Sequence, residues 1–122
     1  MSVEVRPLTT LAGVQAAEAL FAQVWRSPTS PPFAAEIMRA LEHAGSYVVG
    51  AFDGPTMVGA SAGFLALGPD TRCRLHSHIS GVLPEAQGRQ VGWALKLHQR
   101  EWALKRDIHQ ITWTFDPLVR RN

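Results

Sequence analysis

Residues 75–94, LHSHISGVLPEAQGRQVGWA, join a strand to a helix through a glycine-bearing turn, and few folds accommodate that junction. The first part reads as a buried strand, expected over 73–82. Pro84-Glu85 marks a turn. The segment Gln87-Gly88-Arg89-Gln90-Val91-Gly92 then runs into a long helix, expected over 87–105, with Val91, Leu95, His98 and Trp102 on one stripe. The first amides of such a helix have no partner inside it, and the helix dipole places partial positive charge there. A strand, a turn and a helix in this order therefore offer backbone donors to a phosphate. The spacing is not that of the dinucleotide loop, which needs G-x-G-x-x-G, nor of the mononucleotide loop, which ends in Gly-Lys-Ser/Thr.

A chain of 122 residues suits one domain, expected over 1–122, with room for a real core. It is 46% hydrophobic and 18% charged, which argues for a folded globular protein rather than a disordered one. The net charge of +2 is too mild for a nucleic-acid partner, and the basic residues form no dense stripe. Ten of the twelve basic residues are arginine, a composition that suits both solvated surface and phosphate ligands. Cys73 is the single cysteine, so no disulfide can form within the chain and a reducing cytoplasm is the expected location. No apolar run approaches the roughly 20 residues of a membrane span, and MSVEVRPL does not have the pattern of a signal peptide.

Along the chain, 3–8 alternates as a short strand. Thr9 or Thr10 can cap a helix whose apolar positions run from Leu11 to Trp25. Ser30 is expected to cap a second helix with Pro31 at its first position and Phe33, Ile37, Ala40, Leu41 and Ala44 on its buried face; Gly45 suits its exit. Strands at 47–52 and 56–67 form a hairpin about Asp53-Gly54-Pro55, with Gly59 and Gly63 marking a bulge or a close backbone approach. After the central strand and the third helix, a last strand is expected over 110–116. The order is β-α-α-β-β-β-α-β.

Gln87 and Gly92 fill the first and last defined places of Q/R-x-x-G-x-G/A, and Val82-Leu83-Pro84-Glu85 reads as V-x-P-E just upstream. In these motifs and in its element order the chain resembles the GNAT superfamily of N-acetyltransferases. It differs at Gln90, which stands where the first glycine of that loop usually lies. The resemblance implies an α+β, GNAT-like fold with a mixed sheet, reached here as far as the link into a fourth helix at 116–122. It implies acetyl-CoA, or another acyl-CoA, as co-substrate with no metal, and a small-molecule or peptide amine as acceptor. The pantetheine arm would pair with the backbone of Val82 and Leu83, and Gln87, Gly88, Arg89, Gln90, Val91, Gly92 and Trp93 would surround the pyrophosphate. A second copy of the chain could complete the fold as a homodimer.

By the same resemblance, a substrate amine attacks the thioester carbonyl directly, which requires a base that removes a proton from an ammonium group. Histidine, with an ordinary pKa of about 6.5, suits that task. Period-two alternation puts His76, His78, Ser80 and Val82 on one face of the central strand. A His-x-His at this distance before the loop also occurs in serotonin N-acetyltransferase, on the proton-removal path. His76 is thus the expected base, or the entry to a water chain, with His78 as its partner; both also fit as packed, hydrogen-bonded core residues. Zinc is a further use of such a pair, with Cys73 three residues from His76, but no third ligand has suitable spacing. His98 falls on a core stripe, His43 and His109 at element ends, and Asp116 before Pro117 suits a turn or a contact with the acceptor. The tyrosine that many family members carry on the fourth helix to protonate the leaving thiolate has no counterpart, Tyr47 being the only tyrosine. A non-catalytic domain that binds CoA or a protein partner is the competing expectation.

Overall fold

The computed structural model describes residues 2–114. The elements are β1 (Glu4–Pro7), α1 (Leu11–Val24), α2 (Ala35–His43), β2 (Tyr47–Asp53), β3 (Thr56–Leu67), β4 (Cys73–Val82), a 3₁₀ turn (Pro84–Ala86), α3 (Val91–Lys105) and β5 (Ile111–Thr112). The strands lie in the order β1-β2-β3-β4-β5. β1 to β4 are antiparallel neighbours, and β5 joins β4 in parallel. The element order is the one expected from the residues, and the mixed α+β sheet is the one the resemblance implies.

The sheet is covered on both faces. Val48, Ala60, Ala62 and Leu83 point to a core shared with α1 and α2 through Val14, Ala17, Phe21 and Met38. Tyr47, Val49, Ala51, Val58 and Leu75 point to the other core, where Val91, Leu95 and Ala103 of α3 meet them. Strand alternation sorts neighbouring residues into these two layers within each regular run, and extra residues at Val58 and His78 switch the face between runs. Among the described residues, no helix is long and apolar enough to cross a membrane.

Three local expectations are corrected. Thr10 does cap α1, its side chain accepting from the Gly13 amide at 3.0 Å, but Ser30 does not cap α2. That helix begins later, at Ala35, whose amide donates to Glu18 Oε2 of α1 at 2.8 Å; a neighbouring helix supplies the cap. The α2 face is also turned: Ala35 and Met38 are buried, while Ile37 is half exposed. Finally, α3 starts at Val91 rather than at 87, because Gly88 (φ +82°) and Gln90 (φ +62°) hold left-handed backbone that no α-helix contains. The last strand, expected over 110–116, is formed only at Ile111–Thr112 among the described residues, and residues 115–122, Asp116 among them, lie outside these.

Candidate functional site

β4 is paired along its inner side with β3 from Cys73 to Val82. On its outer side it meets β5 at two positions, Leu75↔Ile111 and His76↔Thr112. From Ser77 onward, no described strand flanks that edge. Edges of this kind are usually blocked or paired. Here the edge borders a cleft of 610 Å³ lined by Trp25, Ser80, Gly81, Val82, Gln87 and Trp93, among others. The wall on the α1 side is the Trp25 indole, which sits edge-on to Phe21 and close over Gly81: a Cβ at Gly81 would come within 3.1 Å of it. Gly81 thus keeps the Trp25 ring down against the strand.

The cleft continues to the mouth of α3. A hollow of 390 Å³ there shares Val82, Gln87 and Gly92 with it and adds Ala86, Gly88, Gln90 and Val91. The first bond inside α3 runs from the Ala94 amide to the Gln90 carbonyl. The amides of Val91, Gly92 and Trp93 therefore have no partner within the helix. Gln90 makes no side-chain cap bond, is exposed and lines this hollow. Its left-handed backbone is the conformation a glycine would adopt without strain.

Hydrogen bonding decides which strand groups face the cleft. The Leu83 amide donates to the Val58 carbonyl, so Leu83 faces β3, and its side chain is buried in the α1/α2 core. By alternation the Val82 amide and carbonyl face outward. The carbonyl accepts from Gln87 Nε2 at 3.2 Å, which ties the turn to the strand edge. Leu83 thus has no amide to offer an added strand, contrary to expectation; Val82 does.

The two histidines do not share a face with Ser80 and Val82, contrary to the expectation from alternation. The pairing Ala62↔Ile79 is followed by Gly63↔Ser77, so His78 is an extra residue, a bulge. The bulge inverts the alternation. Ser80 bonds Ser61 across β3 and β4, and Val82 packs in the α3 core. His76 and His78 instead lie on the α1/α2 face, against Phe64 at ring separations of 5.4 and 5.3 Å, with Phe33 a further 4.9 Å neighbour of His78. His76 Nδ1 lies 3.0 Å from Thr112 Oγ1 of β5. With Nδ1–H donated to that oxygen, Nε2 carries the lone pair. His78 is held below the ordinary imidazole pKa, first by desolvation and then by neighbouring His76. It is therefore neutral near pH 7.

No protein-family model matches the chain, and no curated protein matches it. Solved structures do. An aminoglycoside acetyltransferase, meta-AAC0020, from an uncultured soil metagenomic sample and bound to sisomicin superposes with a TM-score of 0.81 at 14% identity, over 96% of this chain and 78% of its own. AAC(6')-Iy, in complex with a bisubstrate analogue of CoA, gives 0.79 at 16% identity, over 97% and 82%. Ribosomal-protein-alanine N-acetyltransferase from Brucella melitensis biovar Abortus 2308 gives 0.75 at 15% identity, over 96% and 83%. The fold is that of the GNAT acetyltransferases.

On this GNAT frame the residues singled out from sequence divide into three groups. Val82, Gln87, Gly88, Gln90, Val91, Gly92 and Trp93 line the cleft or the α3 mouth; Val91 does so at its backbone end, its side chain being buried. Arg89 is exposed on the same turn. His76 and His78 come together beyond the bulge. Elsewhere, His98 is half-buried and pairs with the Tyr47 hydroxyl at 2.9 Å, and His43 and His109 are exposed. Cys73 is exposed at the start of β4, and no group of three or more His, Cys, Asp or Glu among the described residues is placed to hold a metal. Sequence reasoning missed Trp25 and Lys96, which line the cleft. An exposed indole one residue past the end of α1 was the available signal for the first.

Proposed function

We propose that this chain is an acyl-CoA-dependent N-acyltransferase domain that carries acetyl from acetyl-CoA to an amine. The observation that carries the reading is the release of β4 from β5 just after His76. It opens one continuous trough from the strand edge to the amides at the mouth of α3. An extended arm with amide groups can add to such an edge as a strand does. A pyrophosphate at its far end would meet the amides of Val91, Gly92 and Trp93 and the positive end of the helix dipole. The CoA bisubstrate analogue bound by AAC(6')-Iy supports the same occupant here.

The histidines lie on the α1/α2 face, where His76 meets Thr112 at the point at which β5 leaves β4. An amine held there as a free base attacks the thioester carbonyl, the C–N bond forms, the C–S bond breaks, and the amine proton passes to His76 Nε2 directly or through water. His78, neutral, tilted against Phe33 and edge-on to Phe64, fixes the approach and keeps cationic charge off that wall. A small molecule or peptide bearing a primary amine fits this chemistry, and the transferase works without a metal.

The test is thiol release from acetyl-CoA across a panel of amines, with the native chain, His76→Ala and His78→Ala. The expected outcome is turnover that falls at least tenfold in His76→Ala. Binding of acetyl-CoA without thiol release from any amine would favour a non-catalytic CoA-binding domain. Native turnover that neither substitution alters would remove the histidines from the mechanism.

A further inference from the structure

Resting on the transferase reading, the geometry points to Lys96 as the group that receives the leaving thiolate. Acyl transfer from a thioester releases sulfur with an electron pair, and a cleft that accelerates the step must meet that charge. Among the described residues, Lys96 is the one charged side chain lining the cleft along β4. It is also one of only two lysines in the chain.

Its position relative to the histidines makes the assignment specific. Thr112 and Trp113 are successive residues at the point where β5 leaves β4, so they point to opposite faces of the sheet. Thr112 Oγ1 contacts His76 on the α1/α2 face, at 3.0 Å. The Trp113 ring lies under Lys96 Nζ, 5.5 Å from its centroid, on the α3 face. A thioester threaded through the gap would have the histidines on one side and the ammonium on the other. The amine enters and gives its proton to His76. The C–S bond breaks, the sulfur keeps the pair, and a proton from the Lys96 ammonium converts the thiolate to thiol. Solvent then returns one proton from imidazolium to bulk and one from bulk to Lys96, and the cycle balances.

Lys96 is exposed on the second turn of α3, so its substitution leaves both cores intact. Calorimetry with acetyl-CoA and steady-state thiol release are measured on the native chain, Lys96→Met and Lys96→Arg. The expected result is a Kd for acetyl-CoA within threefold of native in both variants, a kcat at least tenfold lower in Lys96→Met, and partial recovery in Lys96→Arg. Native turnover with an unchanged kcat in Lys96→Met overturns this assignment and leaves the transferase reading standing. A tenfold weaker Kd with an unchanged kcat also overturns it, making Lys96 a phosphate contact. If the native chain does not bind acetyl-CoA at all, the transferase reading fails and this one fails with it.

Discussion

Gln90 combines a side chain with backbone that glycine prefers, at φ +62° and ψ +23°. Left-handed backbone costs a residue with a Cβ roughly 1–2 kcal/mol, partly offset because a non-glycine chain loses less freedom on folding. Gln90→Gly should therefore stabilise the chain by about 0.5–1 kcal/mol in urea unfolding, whereas Gly88→Ala, at φ +82° in open space, should destabilise it by about 1 kcal/mol. Equal midpoints for both variants would show that the turn is not strained. The sequence marks Gln90 as unusual by comparison with the loop it resembles; the sign of its φ is a property of the turn and cannot be read from a single residue. The Tyr47–His98 pair is a second case. Burial pushes the Tyr47 hydroxyl well above its ordinary pKa, so it stays protonated and shares a hydrogen bond with His98 Nδ1. His98 is held below the ordinary value of 6.5 by desolvation first, then by Lys105 and Arg106, with Glu101 opposing. The unfolded chain then binds that proton more readily than the native one. Stability is complete above about pH 6.5 and declines as the pH falls through the folded value. His98→Asn keeps an acceptor near Nδ1 without titrating, so it should lose less stability than the native chain between pH 7.5 and 5.5. Identical losses would remove His98 from the acid response.

Among the elements, β4 departs furthest from its sequence pattern. Its ends, 73 and 82, were legible from the apolar run and the flanking turns, but its alternation was not, because one extra residue at His78 inverts every face on one side of it. The signal lay on the neighbouring strand. Gly63 faces the bulge so closely that a Cβ there would sit 2.7 Å from the His76 carbonyl oxygen. Gly63→Ala should push β4 outward and cost about 1–3 kcal/mol, with His76 displaced from Thr112 and turnover lost. An unchanged stability and rate would mean that β4 absorbs the methyl without moving the histidines. α2 shows a different limit. Its existence was legible, but its register was not: a helix of nine residues takes its orientation from what it packs on, and here Glu18 of α1 caps Ala35 in place of the local serine. The start of α3 was displaced for a related reason. Amphipathic spacing carries through 87–90, while the backbone of Gly88 and Gln90 does not.

In the whole molecule, two helical layers hold a sheet that parts at one place. Because α1 and α2 cover one face and α3 the other, on the proposed reading a ligand threaded through that gap would be reached from both sides by different chemistry, imidazole from one and backbone amides with Lys96 from the other. The element order made this architecture legible before any coordinate, since a strand that runs into a glycine turn and a helix has few possible neighbours. The gap itself was legible only through resemblance, because the separation of two strands depends on contacts between residues far apart in the chain. The most direct test is an acetyl-CoA titration of the ¹⁵N-labelled protein, followed by amide resonances. The account predicts saturable shifts concentrated at Ser80, Val82 and residues 87–93, with smaller ones at Trp25 and Lys96. An absence of shifts, or shifts gathered instead around Ser46, His98 and Arg106 in the separate 540 Å³ cleft behind the C-terminal half of α3, would contradict it.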